Sequence, residues 1–118
     1  MVKRWKYGIR LQLEAGIAIG PGKAELLQAI ASSGSISGAS RQMGMGYKTA
    51  WMMVESMNEC FVAPLVETSK GGNGRGGASL TQLGLQVLER YRAMEEKAAR
   101  AIEREAKDFE RLLRSPAQ

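Results

Sequence analysis

Glycine interrupts this chain at 20–22, 34, 44–46 and 71–77, and the stretches between the first three breaks leave room only for short helices. Gly20-Pro21-Gly22 is a firm breaker, since proline lacks a backbone donor and glycine relaxes the chain. From Lys23 the apolar residues Leu26, Leu27, Ile30 and Ala31 recur at helical spacing until Ser32-Ser33-Gly34 stops the run. Ser35 is placed to cap a second helix through its hydroxyl. In that short helix Ile36, Ala39 and Met43 face inward, and Arg41 and Gln42 face outward. Gly44-Met45-Gly46 ends it, with Gly44 able to take the left-handed angle that such an end requires. A third helix is expected from about Tyr47 to Cys60, with Ala50, Val54, Met57 and Phe61 on one stripe. Its opposite face carries Lys48, Thr49, Met52, Glu55 and Ser56, and Pro64 blocks further helix.

The flanks follow other periods. Trp5 to Glu14 alternates, with Ile9, Leu11 and Leu13 on one side and Arg10, Gln12 and Glu14 on the other, as in a half-buried strand. Ala15-Gly16 turns the chain, and Ile17 and Ile19 continue the apolar contact. Leu65 to Thr68 reads as a strand and Ala78 to Leu80 as its return, joined by the flexible, basic stretch 69–77. Thr81 then caps the last and longest helix. Its stripe includes Leu83, Val87, Leu88, Tyr91, Met94, Ala98, Ile102, Phe109, Leu112 and Leu113. At about 1.5 Å per residue an unbroken helix would extend roughly 45 Å, further than this domain can cover. A second copy of the chain is the simplest partner for the overhang, and a helix folded back on its own domain is the alternative. The mixed charges of Glu95, Glu96, Lys97, Glu103, Arg104 and Glu105 suit the flanks of such a seam. Residues 115–118 are expected to fray.

The 118 residues amount to one domain, and an apolar fraction of 44% suits a folded protein. No apolar run reaches the roughly 18 residues that span a bilayer. The basic N-terminus is not followed by an apolar segment, so no signal peptide is expected. One cysteine, Cys60, excludes an internal disulfide, fits a reducing cytoplasm and reads as a buried small hydrophobe. With no histidine the chain lacks the commonest general base and metal ligand, so neither an enzyme nor a metal or other cofactor is expected. The net charge is +5 and the isoelectric point about 9.7. Residues 1–80 hold 9 Lys/Arg against 5 Asp/Glu, whereas 81–118 hold 8 against 7. The excess positive charge therefore lies ahead of the last helix, where a polyanion would find it.

Helix, short helix, tight glycine turn, helix and hairpin is the layout of a winged helix-turn-helix. The expected class is mainly α with a small antiparallel sheet: residues 1–81 form the DNA-binding part and 82–118 a long dimerisation helix of the same unit. The steep turn lets the outer face of the third helix project into a major groove. The segments Ile30 to Ser37, Gly44 to Trp51, Met57-Asn58 and the glycine loop leading into Ala78 to Gly84 resemble the N-terminal DNA-binding domain of the ModE family. These are molybdate-responsive transcriptional regulators related to the LysR-type helix-turn-helix, and the resemblance covers about residues 20–92. It implies a homodimer touching DNA through the third helix and the wing. By position, Ser35 and Ser37 open the helix that meets the backbone; Tyr47, Lys48 and Thr49 open the reading helix; Met52 lies one turn on; Lys70 and Arg75 lie on the wing. Full family members carry a molybdate-binding region after the long helix, which is not among these residues. The expectation is thus a stand-alone regulator, or one whose effector enters elsewhere. Gly46 stands where the family usually has a capping serine, at a cost of at most a few tenths of a kcal/mol.

Each of these residues also has a plainer role. Tyr47 would either meet a phosphate or brace the turn, Met52 would touch a thymine methyl or lie as an adaptable surface side chain, and Trp51 suits packing. Arg41 and Gln42 would meet the DNA backbone or solvent. Arg75, among glycines, suits phosphate or a narrow minor groove. A nucleotide-binding loop would need Gly-Lys-Ser/Thr opening a helix, whereas this loop ends Gly-Gly-Ala-Ser and returns into a strand. The expected function is sequence-specific, non-enzymatic regulation of transcription by a homodimer on double-stranded DNA, away from any membrane. The alternative is a modulator that pairs with a full-length relative and binds DNA weakly alone. An oxyanion site at the dimer junction finds no dedicated cluster of donors.

Overall fold

The computed structural model describes residues 5–14, 16–70 and 76–114. Two short strands, β1 (Leu11–Leu13) and β2 (Gly16–Ile19), precede three helices, α1 (Pro21–Ser33), α2 (Ile36–Met43) and α3 (Tyr47–Cys60). A hairpin of β3 (Val66–Lys70) and β4 (Gly76–Leu80) follows, and then α4 (Gln82–Ala101) and α5 (Glu103–Glu110). The expected small sheet is in fact two separate antiparallel pairs, β1 with β2 and β3 with β4.

Local chemistry sets the helix limits. Pro21 opens α1, where a missing N–H costs nothing, and Gly34 closes it in the left-handed region at φ 81°. Ser35 Oγ accepts from Gly38 N at 2.8 Å to cap α2, and Gly44 ends that helix at φ 66°. Thr81 Oγ1 accepts from Gly84 N at 3.0 Å and caps α4. Gly46 begins α3 with no side-chain cap.

The core lies where the three central helices meet the hairpin base and α4. Leu26, Leu27 and Ile30 of α1 pack with Ile36 and Ala39 of α2 and with Ala50, Val54 and Met57 of α3. Ala31 is exposed, and Ala24 and Ala29 take the remaining inward positions of α1. Cys60 is half-buried rather than buried.

Three further expectations need correction. The strand foreseen over Trp5–Glu14 shrinks to β1, because residues 5–10 lie along the last two helices instead of beside another strand. There Tyr91 Oη donates to Ile9 O at 2.7 Å, Trp5 meets Phe109 edge-on, and Trp5 Nε1 donates to Glu110 Oε2. The long helix is not continuous: Ile102, at φ −108° and ψ 14°, separates α4 from α5. No glycine or proline lies nearby, and Ile102 N still donates to Ala98 O and Ala106 N to Ile102 O, so the axis is distorted there without a loss of helical bonding across the step. Finally, Leu88 and Tyr91 do not belong to a pairing seam. Both are buried in the chain's own core, Tyr91 at 2% exposure, and Val87 and Met94 pack against that core. Of the foreseen stripe, Ile102, Phe109, Leu112 and Leu113 remain exposed.

Candidate nucleic-acid interface

The tight turn after α2 places two helix starts beside the hairpin. Gly44 N donates to Arg41 O and Met45 N to Ser40 O, so the chain reverses within three residues and α3 begins at once. Ala78 N donates to Gly34 O at 2.8 Å, which pins β4 to the end of α1 just ahead of α2. Asn58 of α3 holds the other strand: its Oδ1 accepts from Leu65 N at 2.8 Å and Val66 N at 3.3 Å, and its Nδ2 donates to Val66 O. Thr81 N donates to Leu65 O, and Thr81 Oγ1 to Pro64 O at 2.7 Å. The hairpin is thus fixed to α1, α3 and α4 at its base.

These ties shape an open cleft of about 810 Å³ between α2, α3 and the hairpin. Ser35, Ser37, Arg41, Tyr47 and Lys70 line it, so five of the residues singled out in the sequence converge on one site. Trp51, Thr68, Ser69, Gly76 and Gly77 complete much of the wall. Among the described residues Arg41 and Lys70 are its cations, and no carboxylate lines it. Arg41 Nη1 donates to Ser37 Oγ at 2.9 Å, which orients the guanidinium along α2. Glu67, the acid of β3, borders a neighbouring hollow with Gly34 and Ser79 instead. Tyr47 and Trp51 meet edge-on at 6.3 Å, and Trp51 also packs against the core, as its expected role requires.

The other described residues among those singled out lie apart from the cleft. Lys48, Thr49 and Met52 are exposed on the outer face of α3, Met52 at 59%. Gln42 is exposed on α2, where its Oε1 accepts from Ser32 Oγ at 3.4 Å. Arg75 falls outside the described residues. Thr68 and Ser69 escaped the sequence reading; an alternating polar strand next to Lys70 was the available signal, but only the fold shows that it faces α2.

Elsewhere Lys23, Arg92 and Arg100 are engaged within the chain. Lys23 Nζ donates to Ile17 O and to Ser56 Oγ, joining α1, β2 and α3. Arg92 meets Glu95 at 3.0 Å and Glu25 at 3.4 Å; burial works against its charge, but the two carboxylates outweigh it and raise its pKa. The ion pairs among the described residues involve Arg92 and Arg100; Arg41, Lys48 and Lys70 are, like most of the other described cations, in none of them. No helix is long and apolar enough to cross a membrane, and the described residues contain no group of metal-ligating side chains.

The model of the bacterial regulatory helix-turn-helix proteins of the lysR family matches residues 22–85, over half of the chain. Molybdenum-pterin-binding protein MopB of Rhodobacter capsulatus is 40% identical over 87 residues, which cover 74% of this chain and 32% of that protein. The DNA-binding transcriptional dual regulator ModE of Escherichia coli K12 is 39% identical over 83 residues, covering 70% and 32%. ModE of Haemophilus influenzae is 31% identical over 113 residues, covering 93% and 44%. The chain thus spans about a third to under a half of the length of these relatives. Among solved structures, the CbnR DBD–DNA complex aligns with a TM-score of 0.58 at 19% identity, covering 75% of this chain and 95% of that one. It shares the fold. The matched helices, their glycine turn and the hairpin place this chain in the lysR family of bacterial regulatory helix-turn-helix proteins, with a ModE-like sequence over that region.

Proposed function

We propose that this chain regulates transcription in the cytoplasm by binding double-stranded DNA sequence-specifically, as a homodimer on an inverted repeat. The observation that carries the reading is the cleft that joins the starts of α2 and α3 to the hairpin, with Arg41 and Lys70 in its wall and no acid among the described residues that line it. Ser35, Ser37, Arg41 and Gln42 meet the DNA backbone, as do Lys70 and Arg75 on the hairpin. Lys48, Thr49 and Met52 reach base edges in the major groove from the exposed face of α3, with Tyr47 bracing its start. Phosphate contacts supply most of the affinity and base contacts the discrimination. The distal stripe of Ile102, Phe109, Leu112 and Leu113, with Ala98 and the outer edges of Val87 and Met94, takes part in pairing two copies. Two reading helices then enter successive major grooves about 34–36 Å apart.

Selection of duplexes from a random library at near-physiological salt tests this. Enrichment of an inverted repeat is expected; binding without enrichment that vanishes as salt rises would refute sequence-specific recognition. The exposed distal stripe also supports a second reading, in which the chain pairs with a full-length relative and binds DNA poorly alone. Co-purification of mixed dimers, with no duplex enriched by the chain itself, would favour that reading.

A further inference from the structure

We propose that the free edge of β1 is a self-association surface, on which two copies pair strand to strand, antiparallel and centred on Gln12. The inference rests on the homodimer reading above and specifies how part of that dimer closes.

β1 pairs with β2 in a two-stranded sheet, so among the described residues its other edge has no neighbouring strand. Leu11, Gln12 and Leu13 are all exposed. Leu11 at 45% and Leu13 at 53% present an apolar face that the chain's own core leaves uncovered. An open, apolar edge recruits another strand unless proline, an inward charge or a bulge blocks it. β1 contains no proline or charge, and at the register shift between Leu11 and Gln12 the extra residue, Ala18, lies on β2 and not on β1.

The flanking charges identify the occupant as a second copy. A two-fold interface needs a surface complementary to itself. Arg10-Leu11-Gln12-Leu13-Glu14 has that property when reversed. Centring the pair on Gln12 sets Leu11 opposite the partner's Leu13 and Arg10 opposite the partner's Glu14, each contact occurring twice. A shift of one residue in either direction loses the charge match and leaves Arg10 without an acid across from it. Within the chain, neither Arg10 nor Glu14 has an ion-pair partner among the described residues. Through residues 5–10, β1 connects to Tyr91 and Phe109, so one partner can engage both the strand and the distal helix. Opposite charges directly across an antiparallel pair stabilise it, and like charges there destabilise it.

Sedimentation equilibrium of the full chain and of the exposed-site variants Arg10→Glu and Glu14→Arg tests the pairing. Each single variant sets like charges against each other twice, and its dimer dissociation constant should rise on the order of tenfold. An equimolar mixture of the two variants should recover the wild-type constant through mixed dimers, identified by native mass spectrometry, because each variant carries the charge that the other lost. Recovery on mixing also excludes misfolding as the cause of the weakening. Unchanged dissociation constants with a statistical 1:2:1 mixture would overturn the strand pairing and leave the helical dimer and the DNA reading intact. Weakened variants that do not recover on mixing would overturn the register. A wild-type chain that stays monomeric, alone and on its selected duplex, would overturn both the pairing and the homodimer.

Discussion

Gly84→Ala sets two physical effects of opposite sign against each other. In an exposed helix the substitution would stabilise the protein by about 1 kcal/mol, since alanine has the higher helix propensity. Gly84, however, is buried in the first turn of α4 against the base of the hairpin. A Cβ built there would lie 2.1 Å from Leu65 O and 3.0 Å from Leu65 C. Leu65 cannot yield cheaply, because its N–H is held by Asn58, its carbonyl accepts from Thr81 N and its side chain is fully buried. Restoring ordinary contact requires a backbone shift of more than 1 Å, which belongs at or beyond the upper end of the roughly 1–3 kcal/mol cost of overpacking. A net loss of about 2 kcal/mol is expected, a fall in Tm of roughly 8 °C or more. Urea unfolding followed by circular dichroism measures it, with Gly22→Ala as the control. At Gly22 the nearest atom to the added Cβ is Met53 Cε at 3.8 Å, so stability there should hold or rise by up to about 1 kcal/mol. If Gly84→Ala proves as stable as wild type, the close seating of α4 on Leu65 is wrong.

Asn58→Ala removes the acceptor of two buried backbone donors and should cost about 2–3 kcal/mol in urea unfolding, whereas Asn58→Asp, which keeps the acceptor, should lose less; equal losses would contradict the assigned geometry. Burial, and then the nearby Glu95 carboxylate, raise the Tyr91 pKa above 10.0. Its contribution is therefore complete below pH 10 and is lost as pH rises through the higher folded value, a decline that Tyr91→Phe should abolish in melts taken between pH 8 and 11. On the selected duplex, Lys70→Ala should weaken binding to all sequences alike and lower the salt slope by about 1, whereas Lys48→Ala should weaken and relax it; identical base preferences and salt slopes in the two variants would reject the division of roles.

The helix-turn-helix was legible because its signals are local. Ser35 and Thr81 cap through their own hydroxyls, Gly34 and Gly44 close helices with backbone angles that side chains resist, and the stripe Ala50, Val54, Met57 names the inner face of α3. The candidate site was half legible. Arg41, Tyr47 and Lys70 follow from their places relative to the turn and the hairpin, whereas Thr68 and Ser69 enter the cleft because Gly34 and Asn58 hold the hairpin against the helices.

Periodicity states that a face is apolar but not which surface will cover it. The stripe of the last helix therefore told nothing of its division: Leu88 and Tyr91 turn into the chain's own core, while Phe109 and Leu112 stay exposed. The alternation around Leu11 likewise forecast a covered face that the monomer leaves open. The break at Ile102 has no glycine or proline to announce it, and the contact of Trp5 with Phe109 and Glu110 further along α5 joins residues more than a hundred positions apart in sequence. Caps, breakers and apolar spacing are short-range properties, so the chain's own order of residues determined the elements and their inner faces. Which elements meet depends on how the whole set packs at once, and only the tertiary structure decided that.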